Sequence, residues 1–463
     1  MGFVSALRGM VEIPESSTRR FLRGAGWSFT GDIAARGLVA VTSVVAARSL
    51  GRIAFGQYGI IQSTVAMFVQ YAGFGLGLTA TKHVAEYRFT DLPRAGRIAS
   101  LAIFSGIVTS SILGLAMLVL SPVIGSSLLH APSLGDALLV SSALLFVAAM
   151  IGVIQGVLSG LEDFRAIAAG VAVQGIASML LMWPLIRLLG LQGSILALLL
   201  GQCCCLLFYV YAMRRVLKRN GLVVGIKGAW SERNVLRSFA IPTFLSGSLI
   251  GPASWISTVV LATQENGFGM LAGYTAANQW RNAVVLIPMA MRRASLPMLA
   301  SFHGSGQLKQ FRRLFFGSMA LNAAVATGIA GGVVLLSPLL LSLYGGSYRS
   351  EWVVLAILAG TGILETIEGS MTQLTSSLGK MWWELLTNGL WAVVLVGGAV
   401  LFAPVYGARG LALALLLAAV AHLLSNTCGA LMFIPKDIEL SELAELPSQA
   451  TAPFADQLGG AKE

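Results

Sequence analysis

Twelve apolar segments, separated by short polar loops, follow one another along this chain. A membrane-crossing helix needs about 20 largely apolar residues, and each segment is near that length. The chain is 56% hydrophobic and only 11% charged over 463 residues, whereas a typical soluble domain carries roughly 25% charged residues. The sequence therefore predicts an all-α integral membrane protein with twelve transmembrane helices. The predicted helices cover residues 28–50, 55–80, 98–120, 136–159, 166–188, 191–213, 235–262, 271–291, 314–342, 352–378, 384–403 and 408–433.

The positive charges of the loops alternate from one side of the predicted bundle to the other. One side carries most of the Lys and Arg, including those of the 214–234 loop. The opposite side carries only Arg52, Arg187, Arg349 and Arg409, with Arg48 near its edge. Because basic loops stay in the cytoplasm, we expect both termini to be cytoplasmic in a bacterial inner membrane. The same distribution accounts for the net charge of +11 without nucleic acid as a partner.

The chain also resembles itself over a spacing of about 216 residues. Ser121-Pro122 corresponds to Ser337-Pro338, and the Gly190-x-x-Gly193 opening corresponds to Gly407-x-x-Gly410. Chance similarity between apolar segments is the alternative explanation. Two six-helix halves with the same orientation would be related by a pseudo-twofold axis along the membrane normal, around a central cavity.

This duplication divides the chain into five parts. The N-lobe is 28–213 and the C-lobe is 235–433, joined by a basic cytoplasmic linker at 214–234. A cytoplasmic segment at 1–27 precedes them, and a polar tail at 434–463, expected to be disordered, follows.

The first predicted helix contains two ionisable residues, Asp32 and Arg36. Four positions apart, they share one helical face and can pair. A charge in the bilayer core costs at least about 2.5 kcal/mol and is a functional candidate for that reason. A purely structural ion pair is the alternative.

The eighth predicted helix contains the most polar stretch within any segment, formed by Asn278, Gln279, Arg281 and Asn282. An Arg at mid-membrane should face protein or a water-filled interior. We therefore expect Arg281 to line a central cavity, with Asn278 and Asn282 beside it.

The tenth predicted helix carries Glu365 and Glu368 near its middle, about one turn apart. Buried carboxylates can take up protons, bind a cation or pair with Arg281. Charge neutralisation alone is the structural alternative. His422, in the twelfth segment, is interpreted as a core histidine rather than a proton relay.

Other kinds of chemistry leave no pattern in this sequence. Cys203, Cys204, Cys205 and Cys428 lack the spacing of a metal site or a disulfide framework. No phosphate-binding loop, nucleophile elbow or zinc motif occurs. We therefore expect no cofactor or metal and no enzymatic activity.

Several short motifs, in order, resemble a known family. They are Arg36-Gly37-Leu38, Ala47-Arg48-Ser49-Leu50-Gly51, Phe55-Gly56-Gln57-Tyr58-Gly59, Gly73-Phe74-Gly75-Leu76, the basic-acidic loop Lys82-His83-Val84-Ala85-Glu86-Tyr87, Gly160-Leu161-Glu162-Asp163-Phe164-Arg165 and Gly190-x-x-Gly193. This order and spacing resemble the polysaccharide flippases of the multidrug/oligosaccharidyl-lipid/polysaccharide exporter superfamily. The resemblance covers helices one to six well and the second half more loosely.

The resemblance implies a two-lobed transporter of polyprenyl-pyrophosphate-linked oligosaccharides with a V-shaped central cavity. It implies that Arg36 and Arg281, with Arg48 as a third, face the pyrophosphate. It also implies exchange with protons or sodium, for which Asp32, Glu365 and Glu368 are the coupling candidates. Membrane lipids, a polysaccharide polymerase and a chain-length regulator are the implied partners.

Three other functions stay open at this point. A cation-coupled multidrug exporter would need an acidic and aromatic cavity, which Arg36 and Arg281 disfavour and Glu365 and Glu368 allow. A membrane-embedded enzyme of glycan assembly would form or break a glycosidic bond. A non-transporting scaffold for the assembly machinery is the third.

Overall fold

A computed structural model of the chain describes residues 36–73, 75–219, 221–222, 225, 228–233, 244–245, 247–304, 307–377 and 381–433. Asp32, the predicted segment 1–27 and the predicted tail 434–463 lie outside these residues. The regular structure of the described part consists of helices, without a strand. The prediction of an all-α protein is confirmed.

The first half, defined here as residues 36–219, begins with helix α1 over 36–50. Its other helices are α2 (Arg52–Gly73), α3 (Leu76–Tyr87), α4 (Leu92–Val123), α5 (Ser133–Gly160) and α6 (Phe164–Arg219). A π-helical turn at Ile124–Leu128 follows α4.

The second half, defined as residues 244–433, contains seven further α-helices among the described residues. They are α7 (Ile250–Ala262), α8 (Gly267–Gly304), α9 (Leu308–Leu335), α10 (Ser337–Ser342), α11 (Trp352–Ser377), α12 (Met381–Tyr406) and α13 (Ala408–Phe433). A 3-10 turn at Gly346–Glu351 precedes α11.

Seven helices of the described part are long and apolar enough to cross a membrane, with α6 counted once. This number supports a protein with several membrane crossings. The 56 residues of α6 would extend about 84 Å at 1.5 Å per residue, far more than a hydrocarbon core of about 30 Å. Gly190 interrupts α6 with non-helical angles of φ 57° and ψ −130°. The total of twelve crossings stays a prediction.

The Gly190 corner has a counterpart at the equivalent position of the second half. Gly407 also has a positive φ, 58° against 57°, between α12 and α13. A Cβ at Gly193 would overlap the carbonyl oxygen of Leu185, and a Cβ at Gly410 would overlap that of Phe402. Both pairs are eight residues apart, so two equivalent helical corners turn in the same way.

Several helix boundaries differ from the predicted ones for local reasons. The predicted helix 55–80 ends at Gly73, because Gly75 takes a left-handed conformation with φ 66°. The predicted helix 271–291 continues to Gly304, through Arg292 and Arg293, which lie between the predicted helices 271–291 and 314–342. The part of predicted helix 235–262 that is described as a continuous helix is only Ile250–Ala262.

The two Ser-Pro pairs of the repeat end their segments differently. Pro122 lies inside α4, which ends one residue later and continues as the π-helical turn. A proline there has no N–H for the i−4 carbonyl, which favours a wider turn. Pro338 instead lies in the first turn of α10, where no N–H is needed. The predicted helix 314–342 is therefore two helices.

The two halves meet mainly where α2 packs against α7 and α8. A Cβ at Gly56 would overlap the carbonyl oxygen of Phe268, and one at Gly59 would lie 2.6 Å from Oγ1 of Thr275. Farther along α2, the Ser63 and Thr258 hydroxyls are 3.0 Å apart. The largest buried cluster draws on both halves, whereas one smaller cluster lies in the first half, with Leu222 just beyond it, and another in the second half.

The described part of the predicted linker packs on the first half. Residues 214–219, the first of the predicted linker, are helical and belong to α6. Glu232, which is buried, accepts hydrogen bonds from Arg94 and Arg97 at the start of α4. The amide of Gly225 donates to the Ser100 hydroxyl at 3.0 Å.

Candidate functional site

The polar stretch of α8 faces α11 through Arg281. Arg281 lies 14 residues into the helix, or about 21 Å along it. Its Nε donates to Oδ1 of Asn278 at 2.7 Å, and its Nη1 pairs with the carboxylate of Glu365. The two side chains of this ion pair are 18% and 25% exposed. The structure thus joins three predicted site residues, and it gives Arg281 an acidic partner.

Arg36 brings the first half to the same helix. Its Nη1 lies 3.5 Å from the backbone carbonyl oxygen of Asn282, to which it donates. The contact joins α1 to α8, and the two residues are 246 positions apart in sequence. Asn282 therefore takes part through its backbone, one position away from Arg281. The pairing of Arg36 with Asp32 lies outside the described residues.

Arg292 is a third arginine of this region that the sequence did not single out. Its Nη1 donates to the carbonyl oxygens of Glu365, at 3.5 Å, and Thr366, at 3.3 Å. A Cβ at Gly369 would overlap the guanidinium, so the absence of a side chain there makes room for it. Because α8 continues beyond Pro288, Arg292 lies alongside α11.

Glu368 lies one turn farther along α11 and faces α13. Its Oε1 accepts a hydrogen bond from Nδ2 of Asn426 at 3.1 Å and another from Thr372. Nδ1 of His422 lies 3.5 Å from the same oxygen. His422 and Asn426 are four apart, hence on one helical face. The sequence placed His422 in the core, and the structure gives it the carboxylate of Glu368 as a neighbour.

These groups form what we call the mid-helix cluster: Arg36, Asn278, Arg281, Asn282, Arg292, Glu365, Glu368, His422 and Asn426. Among these described members, three arginines outnumber two carboxylates; Asp32, the predicted partner of Arg36, lies outside the described residues. Arginine remains protonated in proteins, so the arginines exceed the carboxylates in charge even when both carboxylates are ionised. Within the described residues, no group of three or more His, Cys, Asp or Glu could hold a metal ion.

Arg48, the third predicted substrate arginine, lies away from this cluster. It is near the end of α1, where Nε donates to the carbonyl oxygen of Leu343 at 2.6 Å and Nη2 to that of Ser342 at 3.4 Å. Arg52, at the start of α2, donates to the Gly269 and Ser347 carbonyls and pairs with Glu351. Both arginines therefore connect the two halves at the end of the bundle remote from Glu232.

The sequence of this chain matches a family of known proteins. Residues 21–303 match the family model described as "Polysaccharide biosynthesis protein". A relative from Ralstonia nicotianae, "EPS I polysaccharide export inner membrane protein EpsE", is 24% identical over 87% of this chain and 92% of its own length. A Haloferax volcanii relative named "Probable flippase AglR" is 23% identical over 40% of this chain and 39% of its own length.

Solved structures share the fold at low sequence identity. An inward-facing multidrug resistance MATE family transporter of the MOP superfamily gives a TM-score of 0.72 at 17% identity, covering 86% of this chain and 94% of that one. A MOP superfamily transporter from Pyrococcus furiosus gives 0.65 at 18% identity, covering 89% and 95%. The family model spans more than half of the 463 residues. The chain therefore belongs to the polysaccharide biosynthesis protein family.

Proposed function

We propose that this protein moves polyprenyl-pyrophosphate-linked oligosaccharide repeat units across the bacterial inner membrane. One contact carries the proposal: Arg36 of the first half donates to the backbone carbonyl of Asn282 in the second half, next to Arg281. An arginine from each half at one depth suits an anionic group held between two moving bundles. The name of the Ralstonia relative agrees with polysaccharide export, and the name of the Haloferax relative agrees with flipping.

The pyrophosphate is the part of the substrate that these arginines suit best. Guanidinium groups bind phosphate oxygens through several donors, and such charge-assisted bonds strengthen in a low-dielectric site. Arg281 uses Nε for Asn278 and Nη1 for Glu365, and its Nη2 has no hydrogen bond to a described residue, so we propose that Nη2 donates to the substrate. Asn278 and the Asn282 segment complete the proposed site, and Arg292 adds a cation beside it. Arg48, bound to the carbonyls of Leu343 and Ser342, lies outside this proposed site.

Coupling to a proton or a sodium ion is proposed at the two carboxylates. Glu365 faces the substrate arginine, so an arriving pyrophosphate would compete with it for Arg281. Protonating Glu365, or binding a cation there, would release Arg281 to the substrate. Glu368, with His422 and Asn426, is the second candidate. Asp32 is proposed from the sequence alone.

The proposed architecture is twelve crossings in two six-helix lobes related by a pseudo-twofold axis. The similar corners at Gly190 and Gly407 support it. Gly59 and Thr275, equivalent at the 216 spacing, also lie next to each other across the halves. Equivalent residues that touch lie on the symmetry axis of a twofold interface.

The proposed cavity opens on the side that the loop charges assign to the cytoplasm. The buried cluster shared by both halves includes Phe55 and Tyr348 near the Arg52 end. The separate clusters include Tyr209 in one half and Phe315 in the other.

Both termini are proposed to be cytoplasmic, and the lobes to be 28–213 and 235–433 with a linker between. A polymerase and a chain-length regulator are proposed partners.

A cation-coupled multidrug exporter is the second candidate, and the Glu368-His422 contact is the observation that favours it. Cationic drugs need carboxylates, and this protein places two of them on α11. The excess of arginines in the mid-helix cluster favours an anionic substrate instead. We propose transport rather than catalysis in either case.

A deletion strain tests the proposed function. We expect complete lipid-linked repeat units to accumulate on the cytoplasmic face and surface polysaccharide to disappear. Wild-type protein should restore export, and Arg281→Ala protein at equal membrane levels should not. Normal export, without a trapped intermediate and without a redundant homologue, would reject the proposal and favour drug export.

A further inference from the structure

A second basic site lies at the remote end of the first half, outside the mid-helix cluster. A cavity of about 430 Å³ is lined by Val45, Arg48 and Ser49 of α1 and by Trp183 and Arg187 of α6. Ligand pockets commonly have volumes of about 300–1,000 Å³. Two guanidinium groups from two helices thus share one cavity of ligand size.

The charge of this cavity is not neutralised by the described residues. Arg48 donates to two backbone carbonyl oxygens, those of Ser342 and Leu343, and neither is an anion. The guanidinium of Arg187 lies 5.1 Å from the ring centroid of Trp183, a cation-π contact. Among the ion pairs of the described residues, neither arginine has a carboxylate partner within 4.0 Å. Within the part of the chain that the structure describes, the cavity therefore offers two positive charges without an acidic partner.

The surroundings of the cavity are apolar and exposed, as expected of a lipid-facing surface. Leu180, Trp183 and Leu188, all on α6, are 65%, 54% and 77% exposed. Arg187 precedes the Gly190 break by three residues, and Arg48 precedes the Gly51 break by three, so both lie one turn from a helix end. Arginine and tryptophan at helix ends, beside lipid-facing leucines, are placed at headgroup depth.

We propose that this cavity binds the phosphate group of a lipid headgroup. The two guanidiniums would hold the phosphate, and the acyl or isoprenyl chains would run along the exposed leucines of α6. An acidic phospholipid and the isoprenoid carrier offer the same phosphate chemistry. The inference depends on the membrane location of the chain and not on the substrate proposed above.

The position of Arg48 links this site to the contact between the halves. Its Nε and Nη2 reach the second half, and its Nη1 has no hydrogen bond among the described residues. A phosphate on Arg48 would therefore be bound beside the segment that holds the two halves together. Lipid occupancy would then influence how readily this end of the bundle opens.

Quenching of Trp183 by brominated lipid tests the site. The protein is reconstituted in phosphatidylcholine, and brominated phosphatidylglycerol is titrated in, with brominated phosphatidylcholine as the neutral comparison. The chain has nine tryptophans, so the Trp183 signal is the difference between wild type and Trp183→Phe. We expect this difference to saturate at a lower mole fraction of brominated phosphatidylglycerol than of brominated phosphatidylcholine.

Arg187→Gln should weaken the phosphatidylglycerol preference about tenfold, since a hydrogen bond to a charged group contributes roughly that factor. Arg187→Lys, which retains the charge, should keep most of the preference. Arg349→Gln removes an exposed arginine outside the cavity and is the matched control. Equal size-exclusion profiles would show that the variants are folded.

Each outcome of this titration decides the proposal or the source of the lipid. Equal quenching by both brominated lipids, unchanged in Arg187→Gln, would overturn it. If polyprenyl pyrophosphate displaces brominated phosphatidylglycerol at a small fraction of its concentration, the site holds the carrier. If a large excess of the carrier displaces none, the site holds phospholipid.

Discussion

Replacing Glu365 with Gln should expose the two opposing roles of the Arg281-Glu365 pair. Removing one partner of a fully buried ion pair costs about 3–5 kcal/mol, whereas exposed pairs contribute about 0–1 kcal/mol. The side chains here are 18% and 25% exposed, between these limits. Arg281 also keeps its hydrogen bond to Asn278. We therefore expect Glu365→Gln to lower the free energy of unfolding by about 2 kcal/mol.

The same variant should bind pyrophosphate more tightly. Without the Glu365 carboxylate, the pyrophosphate no longer competes with an anion for Arg281. A gain of about 1 kcal/mol corresponds to roughly fivefold tighter binding. Arg281→Gln should instead weaken binding about tenfold, by loss of a charge-assisted bond. Destabilisation and tighter binding in one variant is an outcome that a purely structural pair does not produce.

The assay combines chemical unfolding with binding in detergent. Unfolding curves for Glu365→Gln, Arg281→Gln and the double variant form a cycle, in which we expect a coupling energy of about 1–2 kcal/mol. Affinity is measured by titration with a short-chain polyprenyl pyrophosphate. Glu265→Gln, an exposed carboxylate outside the cluster, is the control. Unchanged or weaker pyrophosphate binding by folded Glu365→Gln would refute the counter-ion role of Glu365.

Three further predictions concern the helical corner at Gly193, the contact between the two halves and the linker. Gly193→Ala should lower the free energy of unfolding by about 1–3 kcal/mol, because its Cβ would overlap the Leu185 carbonyl. A lower melting temperature would show this effect, and Gly397→Ala, which has open space at its Cβ, should leave the melting temperature unchanged. Arg52→Gln removes the contacts to Gly269, Ser347 and Glu351, so spin labels placed on the two halves at this end should move farther apart. An unchanged distribution of label distances would show that Arg52 does not hold the halves together there. Glu232→Gln should free the linker from Arg94 and Arg97 and speed its cleavage by protease, while equal cleavage rates would show that other contacts hold it.

Much of the fold could be predicted because local chemistry determines it. The Gly-x-x-Gly openings marked the corners at Gly190 and Gly407, where only a small residue permits the turn and the close approach. The all-helical character followed from the lengths of the apolar segments. The break at Gly75 could not be read from hydropathy, because the apolar pattern continues across it.

Part of the site could be predicted from polar residues in apolar segments. Asn278, Arg281 and Glu365 stood out in this way, and the structure joins them. Arg292 was missed because a pair of arginines after an apolar segment is typical of a cytoplasmic loop, although α8 continues through it. The partners of Arg48, Ser342 and Leu343, are backbone carbonyls about 295 positions away, which leave no pattern in sequence.

Flipping by the purified protein tests the proposed function directly. The protein is reconstituted in proteoliposomes with a fluorescent polyprenyl-pyrophosphate oligosaccharide, and a membrane-impermeant quencher reports how much probe reaches the outer leaflet. We expect protein-dependent flipping, reduced about tenfold in Arg36→Gln and in Arg281→Gln and retained in Arg349→Gln. Absence of flipping by folded, reconstituted wild-type protein, or flipping that persists unchanged in both arginine variants, would contradict the proposed function.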